Sequence, residues 1–88
     1  MFMDINELIA TVKKKLESQI KIEKIMIEDK SFLHKNHSGN EKGKFHIKIV
    51  FHSNELKKMN KIDSTKRVYK ILDPELKSFI HSLQILIK

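Results

Sequence analysis

Apolar residues recur along this chain with two different periods, and the change of period marks its elements. Ile5, Leu8, Ile9, Val12 and Leu16 fall three and four residues apart, as on one face of an α-helix. Asp4, with Glu7 three residues on, forms a capping box, so the spacing predicts a first helix over about 5–18 with a lysine-rich, solvated outer face. The period then drops to two. Ile25 and Ile27 alternate with Lys24, Met26 and Glu28, while Ile20 and Ile22 sit in the opposite parity. A short strand near 23–29, entered through a bulge, fits that change of phase.

From Lys30 to Lys44 no period is sustained, and Ser31, Asn36, Ser38, Gly39, Asn40 and Gly43 give the stretch the composition of a long mobile loop. Phe45 to His52 places Ile47, Ile49 and Phe51 on one face and reads as a second strand, joined to the first by a wide hairpin. Ser53 to Asp63 is polar and irregular. Ser64 or Thr65 is placed to cap a helix whose buried stripe is Val68, Ile71 and Leu72. Asp73-Pro74 interrupts it: Asp73 can cap a new helix with Pro74 in its first turn, and Leu76, Phe79 and Ile80 form its apolar face up to about His81. Leu83, Ile85 and Ile87, alternating with Gln84 and Leu86, make a last strand. The predicted order is helix, strand, strand, helix, helix, strand. A three-stranded sheet with helices packed on one face, an α/β (α+β) arrangement, buries these stripes most economically.

Composition narrows what such a fold can do. Eighty-eight residues suit one domain, 1–88, and the lack of cysteine excludes a disulfide framework, a thiolate nucleophile and an all-thiolate metal site. The chain runs from Met1 to Asp4 straight into a helical pattern, with no signal-like apolar run and no stretch near the length of a membrane span. A cytoplasmic protein without membrane attachment, monomeric when isolated, is the expectation. No nucleophile elbow surrounds a serine, and Gly43-Lys44 lacks the glycines of a phosphate loop, so no enzyme is expected.

The net charge is +7 and unevenly spread: nine basic residues between Lys42 and Lys70 face only Glu55 and Asp63. Lys57, Lys58, Lys61, Lys66, Arg67 and Lys70 are the candidate nucleic-acid contacts in that stretch. Arg67 is the sole arginine, and lysine offers point charge without a bidentate fork, which favours diffuse attraction over base reading. Phe32, Phe45 and Phe51 read as core or loop anchors before stacking platforms.

Histidine is the unusual component: His34, His37, His46, His52 and His81. Imidazole ligates transition metals without help from cysteine. A histidine taken singly is more often solvated or packed on its own element, and the three-residue spacing of His34 and His37 in a loop defines no cage.

Taken together, several segments resemble the BolA family: Asp29-Lys30-Ser31, Leu33-His34 and His37, His46 nine residues beyond His37, Ser53, Val68-Tyr69 and Leu72, Asp73-Pro74-Glu75-Leu76, and Ile80-His81-Ser82-Leu83. They match in order and spacing over about 5–88. The resemblance implies a class II KH-like αββααβ fold with a three-stranded mixed sheet. Like the family, the chain lacks the Gly-x-x-Gly loop with which KH domains clamp nucleic acid. Where the family commonly has Arg-His-Arg, this chain has Ser64-Thr65-Lys66 before Arg67, and Leu56 and Lys58 replace the usual Phe and Gly.

The resemblance further implies an adaptor that partners a monothiol glutaredoxin and glutathione around a shared [2Fe-2S] cluster, in iron-sulfur trafficking or iron- or redox-linked regulation. Its own ligands would be His81 and His37, with His34 and His46 as further candidates, and no cofactor is expected in the isolated protein. The alternative is a DNA-binding transcriptional regulator that uses the lysine-rich surface. Two imidazoles alone would hold a cluster poorly, because such a site ordinarily has four protein ligands.

Overall fold

A computed structural model describes residues 4–31 and 45–88. The elements are α1 (Ile5–Gln19), β1 (Lys24–Asp29), β2 (Phe45–His52), α2 (Asn54–Lys57), α3 (Lys61–Ile71), α4 (Asp73–Ser78) and β3 (Ile80–Ile87). Helix α1 starts as its capping pattern predicts: Asp4 Oδ1 accepts the Glu7 N–H at 2.9 Å, and the stripe Leu8, Val12 and Leu16 is fully buried.

β2 is the central strand, antiparallel to β1 and parallel to β3, so the sheet is mixed with order β1-β2-β3. Reaching a parallel neighbour requires a crossover, which α2, α3 and α4 provide over one face. Ile47, Ile49 and Phe51 of β2 point into that helical layer, where they meet Leu8, Leu16, Leu56, Val68 and Leu72 in one core. Ile25 and Ile27 of β1 and Leu83, Ile85 and Ile87 of β3 pack partly buried around it. Full burial of each such side chain contributes roughly 1.5–3 kcal/mol.

Three details of the crossover differ from the sequence-based expectation. The polar stretch 53–63 is ordered: Ser53 Oγ accepts the Leu56 N–H at 3.2 Å and donates to the Lys21 carbonyl at 2.8 Å, capping α2 while Leu56 inserts into the core. A four-residue helix with one buried side chain leaves no period to read. Second, α3 is capped by Asn60, whose Oδ1 accepts the Asp63 N–H at 2.8 Å, and not by Ser64 or Thr65. Ser64 is buried inside the helix, and its hydroxyl bonds back to the Lys61 carbonyl at 3.0 Å.

Third, Asp73 is the first residue of α4 and makes no side-chain cap; it pairs instead with Lys77 at 2.9 Å, and Pro74 occupies the first turn as expected. The helix stops at Ser78, and the strand begins at Ile80 instead of near Leu83. The reason is the sheet. The Phe45 N–H donates to the Phe79 carbonyl at 2.8 Å, and Ile80 is buried, so tertiary pairing takes residues whose spacing alone would extend the helix.

Ion pairs tie the helices together. Lys15 of α1 meets the buried Glu75 of α4 at 2.8 Å. Arg67 of α3 contacts Glu55 at 2.7 Å and donates to the Gln19 carbonyl at the end of α1 at 2.8 Å. Val68 lies fully buried between Arg67 and Tyr69 in α3, as its apolar stripe predicts. No helix of the described residues is long and apolar enough to cross a membrane.

Candidate functional site

One end of the sheet brings together His46, His81, Ser31 and Ser82. His46 is the second residue of β2. Its backbone N–H donates to Ser31 Oγ at 3.1 Å, and its carbonyl accepts the Lys30 N–H at 2.7 Å. The Ser31 N–H in turn bonds Asp29 Oδ1 at 2.9 Å. Asp29-Lys30-Ser31 therefore closes this end of the β1–β2 ladder.

The His46 ring is buried, and its Nδ1 lies 2.6 Å from Ser82 Oγ on the neighbouring strand. His81 comes one residue earlier in β3. The pairing passes from Phe45↔Ile80 to His46↔Ser82, so His81 is the extra residue of a bulge. Its ring meets the His46 ring edge to face, with centroids 5.0 Å apart and planes at 62°. His81 is exposed, so one imidazole is tied down while its neighbour stands on the surface. It lies within β3 rather than at the junction of helix and strand.

His34 and His37 lie outside the described residues. The flanks of their segment are placed: Ser31 and Phe45 both bond next to His46 and His81, through the His46 N–H and the Phe79 carbonyl. His52 is half-buried at the opposite end of β2, paired with Lys24 of β1. Among the described residues, no three His, Asp or Glu side chains converge in a way that could hold a metal ion.

The basic candidates are divided. Lys57 and Lys58 end α2, Lys61 opens α3, and Lys66 and Lys70 are exposed along α3. Arg67 is engaged with Glu55 and the Gln19 carbonyl, which makes it a tie between helices as much as a surface charge. Lys48 belongs to β2 in the parity opposite to Ile47 and Ile49, on the sheet face away from the helices. Among the described residues, the basic side chains of this stretch therefore lie on both sides of the sheet. Phe51 is fully buried and Phe45 packs against the core, as their anchor reading predicts, whereas Phe32 lies outside the described residues.

Sequence reasoning names His46, His81 and Ser31 but misses the part played by Ser82. The signal available was its alignment beside a strand histidine, which needs the parallel register to be seen.

A helical layer on one face of a three-stranded mixed sheet is an architecture shared with solved BolA domains. The structure is similar to the BolA domain of SufE1 from Arabidopsis thaliana, with TM-score 0.77, 24% identity, and coverage of 98% of this chain and 93% of that one. It is similar too to BolA1 from Arabidopsis thaliana, with TM-score 0.75, 26% identity, and coverage of 90% and 87%. The family model for BolA-like protein matches residues 16–88. A curated relative from Haemophilus influenzae, named DNA-binding transcriptional regulator BolA, is 30% identical over 74 residues, 84% of this chain and 69% of that protein. The chain belongs to the BolA family.

Proposed function

We infer that this BolA-family protein is an adaptor that binds a monothiol glutaredoxin with glutathione and lends imidazole ligands to a shared [2Fe-2S] cluster. His81 would be the fixed ligand and His37 the second, with His34 three residues before it as the further candidate. The observation that supports this most is the convergence at one sheet end: the exposed His81 ring is backed by His46, and both roots of the segment bearing His34 and His37 are bonded beside it. The described donor set is incomplete, which fits a role that requires thiolates from a partner. When bound there, such a cluster would have imidazole in place of thiolate on one side, a change that raises its potential. This chain's contribution is to hold imidazoles in place for the partner's thiolates to complete the set.

Reconstitution with a monothiol glutaredoxin, iron, sulfide and glutathione tests the reading by visible absorption and particle size. A mixed species with a spectrum different from that of glutaredoxin alone is expected, and an unchanged glutaredoxin spectrum would reject it.

The second reading, a DNA-binding regulator, draws on the name of the Haemophilus influenzae relative and on the exposed lysines of α2 and α3. Binding that survives at moderate salt and prefers one sequence would favour it; binding that vanishes between about 50 and 200 mM salt without preference would mark charge attraction alone.

A further inference from the structure

β3 is an edge strand, and half of its backbone polar groups point away from the sheet. In a parallel ladder the N–H and C=O of one residue lie on the same side, and successive residues alternate. The register Ile47↔Leu83, Ile49↔Ile85 and Phe51↔Ile87, with the Lys88 N–H on the Phe51 carbonyl at 2.8 Å, turns Gln84, Leu86 and Lys88 toward β2. The backbone groups of Leu83, Ile85 and Ile87 therefore face the open edge. Tyr69 reaches over from α3, and its hydroxyl donates to the Leu83 carbonyl at 3.3 Å, which caps the first of these positions. Among the described residues nothing bonds the N–H and C=O of Ile85 and Ile87.

Beside that uncapped stretch lies a groove of about 290 Å³, walled by Leu56, Met59 and Thr65 of the helical layer and bounded on the sheet side by Ile85 and Ile87. Lys57 and Lys61 also line it, and no acidic residue does. The side chains of Ile85 and Ile87 face the helices. In a strand added to this edge, residues directly beside them project to the same face and so enter the groove, while the alternate residues point away from it. Edge, groove and charge thus select one kind of occupant.

We propose that the β3 edge at Ile85–Ile87, with the groove between it and α2–α3, is a docking site for an extended segment of a partner protein whose groove-facing positions carry apolar side chains beside Ile85 and Ile87 and a carboxylate beside Lys57 and Lys61. Main-chain bonds to the edge would supply affinity, and the groove and lysines would supply selectivity. A second copy of the chain fits poorly, since each copy carries +7 and β3 contains no acidic residue to meet the lysines. The site begins about 13 Å along the strand from His81, at the rise of an extended chain. It does not depend on the cluster reading, and both surfaces can be engaged together.

The test uses the full chain and a short blocked peptide with valine and glutamate at successive groove-facing positions and serine between them, followed by amide hydrogen exchange and nitrogen-proton spectra. With peptide at about ten times its Kd, exchange at Ile85 and Ile87 should slow about tenfold, with no shift at His81. The same peptide with lysine for glutamate should give no protection. Thr65→Trp, which fills the groove, should abolish the effect with the thermal transition retained. Should that variant not fold, the exposed pair Lys57→Glu and Lys61→Glu serves in its place and should move the preference to the lysine peptide. Unaltered exchange at Ile85 and Ile87, equal protection by the lysine peptide, protection by single-stranded DNA instead, or protection that grows with protein concentration alone would each overturn the proposal.

Discussion

His46 and His81 touch ring to ring, 5.0 Å apart, yet they are in opposite situations: His46 is buried and bonded to Ser82, and His81 is exposed. The buried imidazole acts as a backstop for the exposed one. Ser82→Ala removes the hydroxyl that holds His46 Nδ1 and should cost about 1 kcal/mol, the usual net worth of such a bond with a partner left behind. Urea unfolding measures that cost. Ring signals of His81 should broaden or shift in the same variant, and an unchanged His81 spectrum would show that the backstop has no influence on it.

His81→Ala should leave the apo fold intact, because the exposed ring contributes little burial, and should abolish or severely weaken the mixed cluster complex. His37→Ala should chiefly alter cluster environment and lability, with a cluster-free complex still formed. His34 is three residues from His37, so the double replacement should exceed the sum of the singles. Visible absorption, visible circular dichroism and cluster-loss rate compare the four proteins. A His81 variant with wild-type spectrum and lifetime would remove His81 from the ligand set.

Val68 has no exposed surface and packs in the core with Leu72. Val68→Ala should destabilise by roughly 0.5–2 kcal/mol through lost transfer energy and the cavity left behind. The neighbouring Lys66→Ala, on the exposed side of α3, should stay within about 0.5 kcal/mol. Denaturant midpoints for the two, taken at equal slope, provide the comparison.

Glu75 is buried, and its ion-pair partner Lys15 is partly exposed. Removing the carboxylate with Glu75→Gln should cost about 1–2 kcal/mol, less than for a fully buried pair because water reaches the lysine. A double-mutant cycle with Lys15→Met isolates the pairwise part, and a coupling energy near zero would mean that the two residues act on stability separately.

Ser53 serves two elements at once, capping α2 and bonding the Lys21 carbonyl beyond α1. Ser53→Ala should therefore cost about 1–2 kcal/mol, the upper part of the range for a lost cap, and it should speed exchange of the Leu56 amide. If stability fell but the Leu56 amide kept its protection, the loss would belong to the Lys21 bond alone.

Local pattern carried most of the architecture. The α1 stripe with its Asp4–Glu7 cap, the alternation of Ile47, Ile49 and Phe51, and the Pro74 break were all legible, because each expresses a period or a dihedral constraint within a few residues. Residues 53–63 and the start of β3 were not. Leu56 is a lone apolar residue whose burial depends on the core above β2, and Ile80 was claimed by helical spacing until pairing with Phe45 drew it into the sheet.

For the site, the chain by itself determined which residues are able to act: five histidines, no cysteine, and one lysine-rich stretch with a single arginine. Only the tertiary structure decided which of them meet. His46 and His81 are distant in sequence and became neighbours because β3 lies parallel to β2 with a bulge at their level. The same register turned the backbone of Ile85 and Ile87 toward an open edge, which no one-dimensional period can reveal: a strand's pattern states which face its side chains take, but its neighbours decide which of its hydrogen-bonding groups are left free.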